Sequence, residues 1–538
     1  MTVLDPIPVP SAPLTRPSSA VIPPTEDASF IIKSTDKSYK HQYSNIYFVR
    51  LRALRQHVEQ RAKGRWNEVA GNPVFVPRVL DVEKGQLCFI IGTVYMDMPL
   101  KPNVLEDVAR DRSLPAPPPR EKFYSDEDSI MLEDESGRIC LVGDRIRSAC
   151  LVTGVILGAL GIETHNGDFE VVDLCYPGMA PQPSAGIDWP APTVNGDAMD
   201  VDGSASTSAP SDEWVALVSG LEVGSTNPSD GQIQMLAEYL AAEISSTEEQ
   251  SQAARISRLI IAGNSLGALT GHTDVINGDT ERKSRRYGND TSSFTPHPTQ
   301  NLAAHLTDVC RSIPVHLLPG PSDPAATILP QQPLPRAMFG GASHYATFSS
   351  ESNPTYIHLA PNDPSAQSSS SSRASQPSAS SSKPKTNGTS AASQGTSRPT
   401  RTIFVHSGQP VDDMFKYVPS PPISRMTLVE ATLRWRHMAP TAPDTLWCHP
   451  YFAKDPFVIT QTPDVYVVGN QPAFATKLVR DDEQDEDESG ARAQKRCRIV
   501  LLPSFKDSGT LVLVNLRTLA VRKVQFAVEG MNGGGGET

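Results

Sequence analysis

Closely paired cysteines are missing from this chain. Its seven, Cys88, Cys140, Cys150, Cys175, Cys310, Cys448 and Cys497, never fall at the two-to-four-residue spacing that lets neighbouring thiolates share one zinc ion. That pattern argues against a zinc finger or an iron–sulfur cluster. An odd, sparse set also suits a reducing compartment, so the chain reads as intracellular. Long apolar runs are lacking too. The longest nearly apolar stretch, 150–162, is broken by Thr153 and three glycines, and falls short of the ~20 residues a membrane helix needs. No membrane span and no membrane partner are expected. Positive charge is scarce: 48 Lys and Arg face 60 Asp and Glu, a net charge of −12. A broadly electropositive nucleic-acid surface is thereby excluded. Aromatics make up 6% and all hydrophobic residues 38%, against 48 Pro and 36 Gly, so part of the chain lacks the apolar surface to order itself.

What is present falls into two folded parts. The length of 538 residues gives three or four domains at ~150 residues each, and two remain once low-complexity tracts are set aside. Residues 1–35 carry repeated prolines and no leader-like apolar run, and read as a disordered arm. Between 44 and 66, Tyr47, Leu51, Leu54 and Val58 recur at helical spacing. Short β-rich runs follow at 86–98, at 129–143 around a turn, and in two more segments split by His165-Asn166-Gly167. So many short strands predict a small barrel, bounded as a domain at 36–180. Residues 181–211 are a linker rich in Pro, Ala, Ser, Gly and Asp. From 212 to 530 strands alternate with helices, including LWCHP and PFVIT among the strands, which argues for a layered α/β domain. Insertions at about 277–298, 365–400 and 481–494, and a tail at 531–538, are expected to be disordered. The basic clusters Arg282 to Arg286 and Lys495 to Arg498 read either as nuclear-import addresses or as solvated loops.

In an α/β domain, reactive groups sit in loops beyond the carboxyl ends of strands. Those loops read SGLEVGS, GNSLG, PGPSDPA, HSGQPVDD and GNQPAF. The series resembles the calcineurin-like metallophosphoesterases, whose loops carry DxH, GDxxD, GNHD and GHxH. Here Ser219 and Leu221 stand at the first Asp and His positions, Asn264 at the bridging Asp, and Pro321-Ser322-Asp323 at Asn-His-Asp. Asn470 and Pro472 occupy the last two His positions. Two divalent cations need hard carboxylates and imidazoles, and of that set only Asp323 survives. By this likeness there is no catalytic residue, no metal ligand set and no cofactor.

A phosphoesterase framework stripped of its ligands, preceded by a small barrel, is similar to the B-subunit family of eukaryotic replicative DNA polymerases. The likeness rests on WVALVSGL, RLIIAGNSL, LLPGPSDPAATILPQQPLPRAMF, SGQPVDDMFKY and APDTLWCHPYFAKDPFVITQTPDVYVVGNQPAF. The LPQQPL and PDTLWCHP blocks resemble the delta branch. The resemblance implies an oligonucleotide/oligosaccharide-binding (OB) barrel, then an αββα phosphoesterase-like sandwich without metals. It implies a nuclear, non-catalytic scaffold in DNA replication and repair. Implied partners are the C-terminal domain of the polymerase delta catalytic subunit, the third delta subunit and, for members of this kind, the polymerase zeta catalytic subunit. Any DNA contact would be weak or indirect.

Other readings compete. His316, His406 and His449 lie at or beside strand ends, and an unusual metallophosphoesterase could draw its ligands from Asp323, His316, His406, Asp412 and Asp413. Without carboxylates at ligand spacing, such histidines are more often hydrogen-bonded core residues. Gln409, Asp412 and Asp413 read as caps for a helix starting near Met414. Pro319-Gly320 and Pro330-Gln331-Gln332-Pro333 read as turns. A single-stranded DNA binder would need stacking platforms and a basic groove. The barrel offers Phe89, Tyr95 and Phe169 beside the acidic Asp97, Glu133, Asp134 and Glu135. The helix at 44–65 is expected to pack on its own domain rather than on another subunit.

Overall fold

The computed structural model describes residues 8–24, 29–35, 37–38, 40, 42–102, 120–184, 212–225, 229–244, 246–268, 296–361, 401–481 and 494–527. The expected linker beyond Ser184, the insertions at 277–295, 365–400 and 482–493, the tail and the cluster Arg282 to Arg286 lie outside them.

The expected disordered arm is instead, over the described part, a packed strap. Strand β1 (Ser19–Ile22) is the outermost strand of a six-stranded sheet. Arg16 donates to the carbonyls of Leu240 at 2.6 Å, Ala253 at 2.9 Å and Ile256 at 3.1 Å. The Phe30 ring stacks on Tyr356 at 5.9 Å and Phe404 at 6.2 Å. Prolines forbid a helix but not an extended edge strand, and one buried ring plus one chelated guanidinium anchor the segment.

Helix α1 (Asn45–Trp66) follows. Its Leu51, Leu54 and Val58 pack on Ile91 and Ile156, and Trp66 meets Phe89 edge-on at 5.3 Å, so the helix does pack on its own domain. The barrel comprises β2 (Val74–Phe75), β3 (Leu87–Asp97), β4 (Ser129–Glu133), β5 (Arg138–Val142), β6 (Ile156–Glu163) and β7 (Phe169–Cys175). A short helix α2 (Asp144–Arg147) follows β5. The order is β2-β3-β4-β5-β7-β6, and β3 closes it by pairing with β6 through Leu87 to Thr93 and with β4 through Thr93 to Asp97. One long strand serving two neighbours is how a small sheet loses its edges.

The second region runs through β8 (Trp214–Val218), α3 (Asp230–Ala241), α4 (Thr247–Ala253), β9 (Ile256–Ala262), α5 (Pro296–Cys310), β10 (Val315–Leu318), β11 (Phe348–Ser350) and β12 (Thr355–Pro361). It continues with β13 (Arg401–His406), α6 (Gln409–Phe415), α7 (Arg425–Trp435), β14 (Val465–Gln471), β15 (Ala475–Arg480) and β16 (Arg496–Pro503). Helix α8 (Phe505–Ser508), β17 (Thr510–Asn515) and β18 (Val521–Gln525) finish it. Two six-stranded sheets result, ordered β11-β10-β9-β8-β17-β18 and β1-β12-β13-β14-β16-β15. They share a core of Val215, Leu217 and Ile260 from one sheet with Ile403, Val405, Val467 and Val500 from the other. Leu240 and Leu306 of α3 and α5 cover the far face of the first. Leu428 and Leu433 of α7 join Tyr466 and Ile499 in a cluster that continues into Leu157 and Leu174 of the barrel.

Three expectations change. LWCHP and PFVIT form only isolated bridges, Leu329 to Cys448 and His437 to Val458, because their prolines lack the N–H a ladder needs. Residues 296–298, expected in an insertion, open α5. The Lys495 to Arg498 cluster is neither a loop nor a free basic address: it enters β16, where Arg498 Nε donates to the Leu519 carbonyl at 2.8 Å.

Barrel and second region meet in a buried ion pair. Arg50 of α1 donates from Nε to Asp455 Oδ2 at 2.8 Å, and to the carbonyls of Pro440 and Ala442, each at 2.7 Å. Both side chains are fully buried, and His437 Nε2 lies 2.8 Å from the same carboxylate oxygen. Burial and the neighbouring Arg50 push the His437 pKa down to about 4. Arg50 and His437 overcome the burial cost to hold Asp455 well below the usual carboxylate range. Gly154 makes the approach possible: with φ at +89°, a Cβ there would sit 1.9 Å from the Pro440 oxygen.

Candidate functional site

The strand-end loops singled out by the sequence do converge, and many of their polar groups bond to one another. Ser219, fully buried after β8, donates to the Pro503 carbonyl at 3.2 Å and accepts from the Asn470 N–H at 3.0 Å. Asn470 Nδ2 donates to the Ser407 carbonyl at 2.8 Å. Asn264 Oδ1 accepts from the Ser322 N–H at 3.1 Å, and Ser322 Oγ donates to the Leu266 carbonyl at 2.7 Å. Both Asn264 and Asn470 have φ at +54°, a left-handed conformation that Asn tolerates better than most residues. The loops interlock tightly: a Cβ on Gly469 would lie 2.2 Å from the Ala262 oxygen.

Leu221 and Pro472 stand apart from this network. Leu221 turns into the apolar cluster under α3. Pro472 is exposed in the turn between β14 and β15.

Asp323 is the carboxylate among the residues singled out in these loops, and backbone donors occupy it. Its Oδ1 accepts from the Leu266 N–H at 2.8 Å and its Oδ2 from the Gly320 N–H at 2.8 Å. Burial pushes its pKa up to about 6 against the pull of those N–H groups. It therefore pins the second and third loops together.

A second layer, not singled out as a unit from the sequence, lies beside these loops. Asn353 Nδ2 donates to Gln331 Oε1 at 2.7 Å and Ser407 Oγ at 2.6 Å, and Asn353 Oδ1 accepts from the Ser407 N–H at 3.0 Å. Gln409 Nε2 donates to the same Gln331 oxygen at 3.0 Å, while Gln331 Nε2 reaches the Gly320 carbonyl at 3.2 Å. Amides and hydroxyls thus fill the ground between the loops. Among the described residues no three or more of His, Cys, Asp and Glu are grouped to hold a metal ion. The buried, unpaired oxygens Ser265 Oγ and Asn470 Oδ1 are neutral. Such a donor set does not fit a pair of divalent cations.

The three histidines have separate surroundings. His316 lies between Arg258 Nη1 and Glu351 Oε1, each at 2.9 Å. His406 Nδ1 accepts from the Gly408 N–H at 3.1 Å and burial pushes its pKa down to about 3. His449 packs edge-on against Tyr451 at 5.1 Å. The expected caps are corrected: α6 begins at Gln409 behind Gly408, without a side-chain cap. Asp412 pairs with Arg425, and Asp413 accepts from Thr445 Oγ1 at 2.6 Å. Burial raises the Asp413 pKa against the hydroxyls of Thr441 and Thr445.

In the barrel, Phe89 and Phe169 are buried, which leaves Tyr95 of the three expected aromatics partly exposed. Asp134 accepts the N–H groups of Val79 at 2.8 Å and Ser136 at 2.7 Å, fixing the hairpin turn.

A family model described as the DNA polymerase delta subunit OB-fold domain matches residues 42–174. The model for the DNA polymerase alpha/epsilon B-subunit matches 215–363 and 397–476. The DNA polymerase delta small subunit of Oryza sativa subsp. japonica is 34% identical, over 91% of this chain and 94% of its own length. That of Arabidopsis thaliana is 33% identical over 91% and 92%, and that of Saccharomyces cerevisiae 32% over 91% of each. With two family models covering barrel and sheets in turn, and relatives aligned almost end to end, the chain belongs to the family of DNA polymerase delta small subunits.

Proposed function

We propose that the chain is a non-catalytic scaffold subunit of the polymerase delta holoenzyme, acting in DNA replication and repair in the nucleus. Its second region is a phosphoesterase fold whose metal positions have been replaced, at Ser219, Leu221, Asn264, Ser322, Asn470 and Pro472. The observation that carries this reading is the rim itself: its hydroxyls and amides bond to one another, and Asp323 is engaged by backbone N–H groups. A two-metal hydrolase requires the opposite, converging anions that cations must neutralise. The buried Arg50–Asp455 pair supports a rigid platform, because it fastens the helix of the barrel to the second region.

In this reading the platform joins the C-terminal domain of the catalytic subunit to the third subunit, and the polymerase zeta catalytic subunit is a further partner. Co-expression with the catalytic subunit's C-terminal domain tests it. A stable contact of more than ~1,200 Å² survives size exclusion, so co-elution is expected, and separate elution would remove the proposal.

A further inference from the structure

A concavity of about 300 Å³ opens where α1 lies across the barrel, and the rim does not include it. Tyr47 and Phe48 of α1 form one wall, Tyr95 belongs to the floor, and Glu133, Arg138 and Asp444 border it. Strand register builds the opposite side. Thr93 pairs with Glu133, and Glu133 with Arg138. Alternation places Thr93, Tyr95 and Asp97 on one face of β3, turned outward while Val94 and Met96 enter the core. The Arg138 guanidinium lies 4.7 Å from the Tyr95 ring centre and the Lys101 ammonium 5.3 Å.

Phe48 at the mouth is 49% exposed. Asn45, three residues before Phe48 on α1, donates from Nδ2 at 2.8 Å to the carbonyl of Phe452, which is 61% exposed. Two large exposed rings next to a concavity mark a surface for apolar contact. The charge around it is negative. Of its lining acids, Glu133 pairs with Arg138 at 3.1 Å, Asp444 with Lys101, and Asp134 is held by the hairpin turn; the negative excess comes from the exposed Asp97 end of β3 and the exposed Asp126 and Glu127. Phosphate is repelled there, whereas Lys or Arg is attracted.

We infer that this groove docks an apolar side chain from a partner protein segment that carries Lys or Arg beside it. The inference rests on the scaffold reading and assigns that role a surface. Phe48 and Phe452 form the apolar contact; the Asp97 end of β3, with Asp126 and Glu127, holds the basic flank.

The test co-expresses the full chain with the catalytic subunit's C-terminal domain and the third subunit, measuring each affinity. Phe48→Asp combined with Phe452→Asp changes only exposed side chains, so the thermal midpoint should hold. Affinity for at least one partner should fall at least about tenfold. Asp97→Lys should weaken the same partner and reduce the salt dependence of its association. If the double Asp variant lowers the midpoint, Phe48→Ser with Phe452→Ser replaces it as the decisive variant. A wild-type chain that binds while the variants bind equally well overturns the groove alone. A wild-type chain that binds neither partner overturns the scaffold reading, and the groove with it. Retention of a single-stranded oligonucleotide at low salt, lost in the variants, also overturns the groove.

Discussion

The seam between barrel and sheets buries full charges, whereas the strand-end rim buries mostly amides and hydroxyls. At the seam, Arg50 and Asp455 neutralise each other inside a cage of carbonyls that uses the remaining guanidinium donors. At the rim, Ser219, Asn264, Asn353 and Asn470 bond to each other's loops, with Asn470 Oδ1 left unpaired. The difference teaches where charge persists in a scaffold: where a fixed partner is built in, and not where a diffusible cation would have to supply the balance. Removing one member of the seam strands a buried charge, while removing one member of the rim strands only a polar group.

That contrast orders the expected effects. Arg50→Ala leaves Asp455 without its counter-charge and should destabilise the fold by about 3–5 kcal/mol, read from denaturant midpoints. Asp455→Ala should cost a similar amount, and the double variant less than the sum of the two. Gly154→Ala, forced against the Pro440 oxygen in a left-handed conformation, should approach the same loss. If Arg50→Ala costs no more than a surface substitution, the seam is not the fastening described.

At the rim, Asn353→Ala should cost about 1–3 kcal/mol by orphaning Gln331 and Ser407. It should leave co-elution with the catalytic subunit's domain intact. A loss larger than that of Arg50→Ala would reverse the comparison.

The two regions share one further effect, a dependence on pH. His437 and His406, with folded pKa values of about 4 and about 3, stay neutral while the unfolded chain takes up protons below about 6.5. Stability from these two therefore falls as pH drops from 6.5 toward 4. Asp323, raised to about 6, works oppositely: its contribution is present below the unfolded carboxylate pKa and is lost as pH rises through 6. His406→Leu should flatten the slope between pH 4 and 6.5, and Asp323→Asn should steepen it. Thermal midpoints across that range check both signs.

Much of the strand order and the rim was legible because local pattern encodes them. Continuous apolar runs mark β8 and the first half of β3, and the Gly- and Pro-rich loops mark the strand ends. The N-terminal strap was not legible, since its anchors, Arg16 and Phe30, find their partners more than two hundred residues away. The seam left one trace: Arg50 falls four residues before Leu54 and four after Ile46, both core residues of the same helix. An arginine on an apolar stripe announces a buried partner, though nothing in the sequence names Asp455. Asp412 and Asp413 misled because a polar pair before a helix looks like a cap, whereas the helix begins earlier and both acids find tertiary partners.

Metal content and phosphodiester hydrolysis, measured together on the purified chain after incubation with Mn²⁺, test the central claim most directly. A rim of bonded amides and hydroxyls, its one carboxylate Asp323 held by backbone N–H groups, predicts no stoichiometric metal and no Mn²⁺-dependent turnover. Two ions retained per chain, with hydrolysis abolished by Asp323→Asn, would contradict it.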